Sequence, residues 1–407
     1  MNAFPARRWA LQGLFGLAVV ALWGTMMRYK IAFSFPYLEQ KNLLHAHSHF
    51  AFSGWITHLL YAGIAIVCQP FLPRKNQKAY YYLIAANMLC AWGMLIAFTI
   101  QGYQAVSISF STLSILVAVA FAVLTMQSAK FLPHRHPVKT WGIAGLLLQV
   151  LSAAGPFALA YMLATKNIDH HLYLGAVYYF LHFQYNGWFF FGTMALVAAY
   201  LPVNVSSLKK YFWLFACTIA PAFFLSILWV NLPGWLYYLT VIASLVQLIA
   251  WIYLLRQLWA AYKRGQHYSY PKWVHIFFAV AATGLTIKFI LQAISVIPSL
   301  SQLVFGIRPI VIAYLHLVLL AVYSQYLLGF MFAQKLLQPT AAAKAAALGF
   351  LAAVVLNETL LGIQGFAAFA YVPIPYINEM LFAVAALLLL TASALYITQM
   401  RGSNRQS

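Results

Sequence analysis

The sequence predicts an all-α fold, a polytopic membrane bundle of about twelve transmembrane helices forming a single domain over residues 1–407. Three observations predict it. The chain is 64% apolar and only 7% charged, whereas soluble domains carry about 25% charged residues. Its apolar residues gather in runs of the roughly 20 residues that a helix needs to cross hydrocarbon. Short breaks bearing Pro, Gly or charge part most of these runs, as at Phe71-Leu-Pro-Arg-Lys75, Pro133-His-Arg-His-Pro137, Leu232-Pro-Gly234 and Pro373-Ile-Pro375.

Taken in order, the runs place spans at 9–33, 43–68, 79–101, 105–129, 139–164, 171–201, 211–231, 234–262, 272–297, 308–334, 345–370 and 376–400. The first follows Arg7 and Arg8, is long for a signal peptide and shows no small-residue cleavage site, so it reads as a membrane helix. The basic residues test the count. With the N-terminus cytoplasmic, the inside segments carry Arg7, Arg8, Arg74, Lys75, Lys78, Lys130, Arg135, Lys139, Lys209, Lys210, Arg256, Lys263, Arg264, Lys272, Lys335, Lys344, Arg401 and Arg405. The outside segments carry Arg28, Lys30, Lys41, Lys166 and Arg308, and Lys288 falls within a span. A bias of 18 to 5 in this register places both ends in the cytoplasm. The net charge of +20 is thus spread over short loops as an orientation signal, not gathered into a nucleic-acid footprint. Cys68, Cys90 and Cys217 lie in apolar runs without a CxxC pairing and read as small buried side chains. No clear internal sequence repeat is visible.

The histidines carry the chemistry. His45, His47 and His49 begin the second span, His182 lies in the sixth and His316 in the tenth. All three spans enter from outside. At 1.5 Å per residue the second-span histidines lie roughly 3–10 Å below the outer ends, His316 about 12 Å and His182 about 16 Å. Imidazole is the commonest side-chain ligand of haem and transition metals and is costly in hydrocarbon without a partner. Shared depth therefore predicts a haem or metal site in the outer half of the membrane, with Arg28, Lys30, Lys41, Lys166 and Arg308 as candidates to pair with haem propionates. His45 and His49 share a helix face and His47 points away, so at most two of the three serve one site. Read singly, His182 and His316 are equally well satisfied core histidines, and the three alternating histidines an interfacial cap. His134, His136 and His267 read as loop surface, and His170 and His171 as a solvated outer loop. His58 is too deep and His275 too near the inner face to join the cluster. Lys288 and Glu358 lie at similar depth on the ninth and eleventh spans and are expected to form a buried charge pair, or else elements of a proton path.

Local words add a resemblance. Ala313-Tyr314-Leu315-His316-Leu317-Val318-Leu319, His182-Phe-Gln-Tyr-Asn186-Gly187-Trp188 and His47-Ser-His49-Phe-Ala-Phe-Ser-Gly54-Trp55 resemble the tenth-, sixth- and second-helix words of subunit I of the haem-copper oxidases and nitric oxide reductases. That resemblance implies a low-spin haem b held by His316 and one of His45, His47 and His49, with His182 as a ligand of copper or non-haem iron. It also implies an oxidoreductase of a respiratory chain, partnered by cytochrome c-type or other respiratory subunits in the bacterial inner membrane. The chain departs from the pattern at two places. Its seventh span has no histidine, and Tyr314 stands where the ligand of a high-spin haem belongs. A full copper site and a second haem are therefore not expected, nor is oxygen reduction by this chain alone. What remains is a bis-histidine haem, which leaves the iron no open position. His45-Ala-His47 also resembles the NnrS group of twelve-helix membrane proteins that bind haem and copper. Two further readings stay open, a secondary transporter and a non-catalytic haem-binding subunit or sensor.

Overall fold

The computed structural model describes residues 5–200, 205–263, 270–300 and 307–403, which leaves Arg264, His267 and Arg405 outside the described residues. These residues form an integral membrane bundle of helices. We number the long helices α1 (Ala6–Ala32), α2 (Gln40–Phe71), α3 (Arg74–Gln101), α4 (Ala105–Phe131), α5 (Pro137–Thr165), α6 (170–200), α7 (Leu208–Ile227), α8 (Gly234–Lys263), α9 (Lys272–Ile294), α10 (Arg308–Ala333), α11 (Ala341–Phe369) and α12 (Ile377–Met400). All but α6 are long and apolar enough to cross a membrane, and α6 carries Gln184 and Asn186 in its middle.

The boundaries follow local chemistry. Thr340 caps α11 by accepting from Ala343 N, and Asp169 caps α6 by accepting from Leu172 N. Gly102 ends α3 at φ 64° and ψ −143°, where a Cβ would also meet Asn42 Oδ1 at 2.4 Å. Arg7 at the start of α1 donates to the carbonyl of Gln399 at the end of α12, so the two ends of the described chain share one face.

Each helix packs on its neighbours in sequence, and α12 closes the ring on α1. Three helices, α2, α6 and α10, turn inward and meet. Each is interrupted by a wide π-helical turn, at Ala51–Thr57, His182–Phe189 and Leu317–Ser324. The three are locked in a closed triangle of hydrogen bonds. Trp55 Nε1 on α2 donates to Ser324 Oγ on α10 at 2.8 Å. The Tyr323 hydroxyl on α10 donates to the Tyr185 carbonyl on α6. Trp188 Nε1 on α6 donates to Thr57 Oγ1 on α2 at 3.0 Å. The bundle therefore consists of three successive groups of four helices (α1–α4, α5–α8, α9–α12), with the second helix of each at the centre. This arrangement is an internal repeat that the sequence pattern alone did not make clear. Its sequence trace is His-x4-Gly-Trp, at His49-Gly54-Trp55 and again at His182-Gly187-Trp188, decayed to His316-Ala321-Val322 in α10.

Candidate functional site between α1, α2 and α10

Two cavities and one partly exposed region lie around the central triangle. The first, between α2 and α6, is a cavity of about 70 Å³ lined by His49, Ser53, Asn87, Gln149 and Gln184 among others. The second, between α6 and α10, is nearly closed, with about 10 Å³ left among Asn186, Gln247, Lys288, Phe289 and Tyr323. That is room for at most one water. The third lies between α10, α2 and α1. There every residue from Trp23 to Arg28 and from Pro309 to Leu317 is partly exposed.

His47 and His316 belong to this third region. His47 Nδ1 lies 3.1 Å from the Val20 carbonyl of α1, and His316 Nδ1 lies 2.9 Å from the Ile312 carbonyl one turn back on α10. A carbonyl only accepts, so both rings carry their proton on Nδ1. The lone pair is left on Nε2, and among the described residues neither Nε2 has a hydrogen-bond partner. This is the tautomer that a metal-ligating histidine adopts, with Nδ1–H held by a backbone carbonyl. His47 lies over Gly24, where an added Cβ would sit 3.2 Å from its Cε1, so a larger residue there would crowd the ring. His47 lies within electrostatic range of both His316 and Arg28, and His316 within range of Arg28. The structure thus brings together two of the predicted histidines and one of the five predicted cations.

The other predicted residues go elsewhere. His45 and His49 face α3 and the α3–α4 loop, and both ring-pack on Phe98 and Tyr103. His182 is 2% exposed. Its Nε2 donates to the Ile219 carbonyl at 2.8 Å, and its Nδ1 accepts from Asn186 Nδ2 at 3.1 Å. Both ring nitrogens are hydrogen-bonded, and His182 pins α6 to α7. His58 is held by one nitrogen, with Nε2 on the Trp9 carbonyl at 2.9 Å, while its buried Nδ1 has no hydrogen-bond partner. Tyr314 lies against Tyr185, with ring centroids 6.2 Å apart.

The expected charge pair is not formed. Lys288 Nζ donates to Gln292 Oε1 at 2.6 Å and lies 4.0 Å from the Phe289 ring centroid, while Glu358 Oε1 accepts from Asn357 Nδ2 at 3.1 Å. Equal depth along two helices does not set their rotation, and the two side chains find partners on their own helices. Lys288 heads a chain the sequence did not suggest, in which Gln292 donates to Gln247 and Gln247 to Thr218. Among the described residues no three His, Cys, Asp or Glu side chains gather into a metal-binding group.

Compared with protein-family models and with curated proteins, the chain matches none.

Proposed function

We propose that the chain is a haem-binding membrane redox protein, in which His47 and His316 would hold one haem b and Arg28 would balance its negative charge. The observation that carries this reading is the matched pair of Nδ1–H tautomers. Two deep imidazoles on separate helices have their protons fixed by backbone carbonyls, and both keep the lone pair on Nε2. The partial exposure of the residues around them and the proximity of Arg28 support it. A haem held by two histidines supplies one-electron transfer without a vacant iron position for a gas. The chain's own residues would bind and orient it, exclude water, and set its surroundings through Arg28.

The second compartment supports one haem rather than two. Lys288, Phe289 and Tyr323 fill the space between α6 and α10, and Tyr314 and the engaged His182 supply no ligand there. On this reading the chain passes electrons and does not itself reduce oxygen. It resides in the bacterial inner membrane with both ends cytoplasmic and meets cytochrome c-type or other respiratory-chain partners.

Reduced-minus-oxidised spectra of protein purified from a haem-sufficient host test the reading. A low-spin haem b spectrum with a bis-imidazole paramagnetic resonance signal is expected. His316→Ala and His47→Ala should each remove that signal while leaving the bundle inserted, and His58→Ala and His134→Ala should keep it. Absence of any haem band, or a bis-imidazole signal unchanged in His316→Ala, refutes it.

A further inference from the structure

His45, His49 and Tyr103 are not absorbed by the haem reading, and together they have the makings of a second site. The first eleven residues of α2, Gln40–Phe50, form regular α-helix before the π turn begins. Positions 45 and 49 are therefore one turn apart on one face, with Cβ atoms about 5–6 Å apart. Two histidines at this spacing on a helix form a common chelating pair for divalent transition metals. His47, two residues from each, faces the other way into the haem compartment.

The pair rests on an aromatic base. His49 stacks on Phe98 at 4.5 Å and 13°, and His45 meets Tyr103 edge-on at 4.6 Å. The Tyr103 hydroxyl lies 3.1 Å from His49 Nε2. His45 Nε2 is fully enclosed and has no hydrogen-bond partner. An orphaned buried imidazole nitrogen is unfavourable, so it calls for an explanation. Tyr103 is 43% exposed, which leaves a solvent side for entry and for water ligands.

We infer that His45, His49 and Tyr103 bind one late first-row divalent ion, copper(II) more tightly than zinc(II). Two imidazoles and one oxygen suit both ions, and copper(II) stands higher in the general affinity order. The ion would bind the orphaned Nε2 of His45 and the Nε2 of His49, with the Tyr103 oxygen third and water completing the shell. Lys41 lies in electrostatic range of His45 and opposes either divalent ion equally, so it weakens binding without altering the preference. The site uses none of the residues assigned to the haem and stands whether or not a haem is bound.

Chelator-stripped, untagged full-length protein is titrated with copper(II) against a competing chelator, and the bound ion is read by paramagnetic resonance. One equivalent per chain is expected, with hyperfine structure from two imidazole nitrogens. Affinity should fall about tenfold or more in His45→Ala and in His49→Ala. It should be unchanged in His316→Ala. His45 has no polar contact to lose, so His45→Ala guards against misfolding as the cause, and any haem spectrum should be intact in it. No stoichiometric copper in the wild type, or copper retained in both His45→Ala and His49→Ala, overturns the inference. Loss of the haem spectrum in His316→Ala with copper retained separates the two sites.

Discussion

Trp188 gives the sharpest test of how the three inner helices are held. Its ring is 0% exposed and lies between Gly145 of α5 and Gly192 of α6, where an added Cβ would come within 3.2 Å and 3.0 Å of it. Its Nε1 donates to Thr57 of α2, itself 4% exposed. Trp188→Phe removes the donor and shrinks the ring. The hydrogen bond contributes about 0.6–1.7 kcal/mol in a membrane interior. The space left, about 40 Å³, costs about 1 kcal/mol at roughly 24 cal/mol per Å³. The single variant should therefore lose about 1.5–3 kcal/mol. Thr57→Val removes the acceptor and keeps the shape, so a double-mutant cycle isolates the hydrogen bond. Equilibrium unfolding in mixed micelles with increasing sodium dodecyl sulfate should give a coupling of about 0.6–1.7 kcal/mol. A coupling below about 0.3 kcal/mol, within the error of additivity, would refute the interlocked triangle.

Two further outcomes follow from buried polar groups. Lys288→Met replaces an ammonium that has one hydrogen bond and one ring contact with an apolar chain of similar length. It should stabilise the protein by about 1–3 kcal/mol, after allowing for the Gln292 oxygen it leaves unpaired. A lower melting temperature would show that the cation is compensated where it stands. His136, just before α5, has its ring held in the neutral form chiefly by burial, with Nδ1 accepting from Val138 N at 3.3 Å, and its pKa lies below the ordinary 6.5. The unfolded chain then binds the proton more readily, so this stability is present above about pH 6.5 and is lost as the pH falls below it. Melting temperatures taken from pH 7.5 down to 5.5 should fall less steeply in His136→Gln than in the wild type, and parallel curves would count against it.

Much of the fold was legible because hydrocarbon is an unforgiving solvent. Every backbone group in it must be paired within its own helix, so each apolar run of spanning length is a helix wherever it lies in the chain. Eleven of the twelve long helices are apolar enough to be legible from the one-dimensional pattern alone, and Arg7 meeting Gln399 puts the two ends of the described chain on one face. Which helices carry the histidines was likewise legible, since each lies in a mostly apolar run of spanning length. Rotation about the helix axis was not. A span that is apolar all round has almost no moment to say which face looks inward. The three π turns add to the difficulty, because each resets the facing of every residue beyond it. The sequence therefore placed His45, His47, His49, His182 and His316 near one layer of the membrane and could not sort them. Only the packed bundle decided that His47 turns to α1 and α10, that His45 and His49 turn to α3, and that His182 spends both nitrogens on Ile219 and Asn186. The same limit undid the pairing of Lys288 with Glu358. Depth is a property of the chain, but contact between two helices is a property of how both are rotated, and that is settled by the side chains of all twelve together.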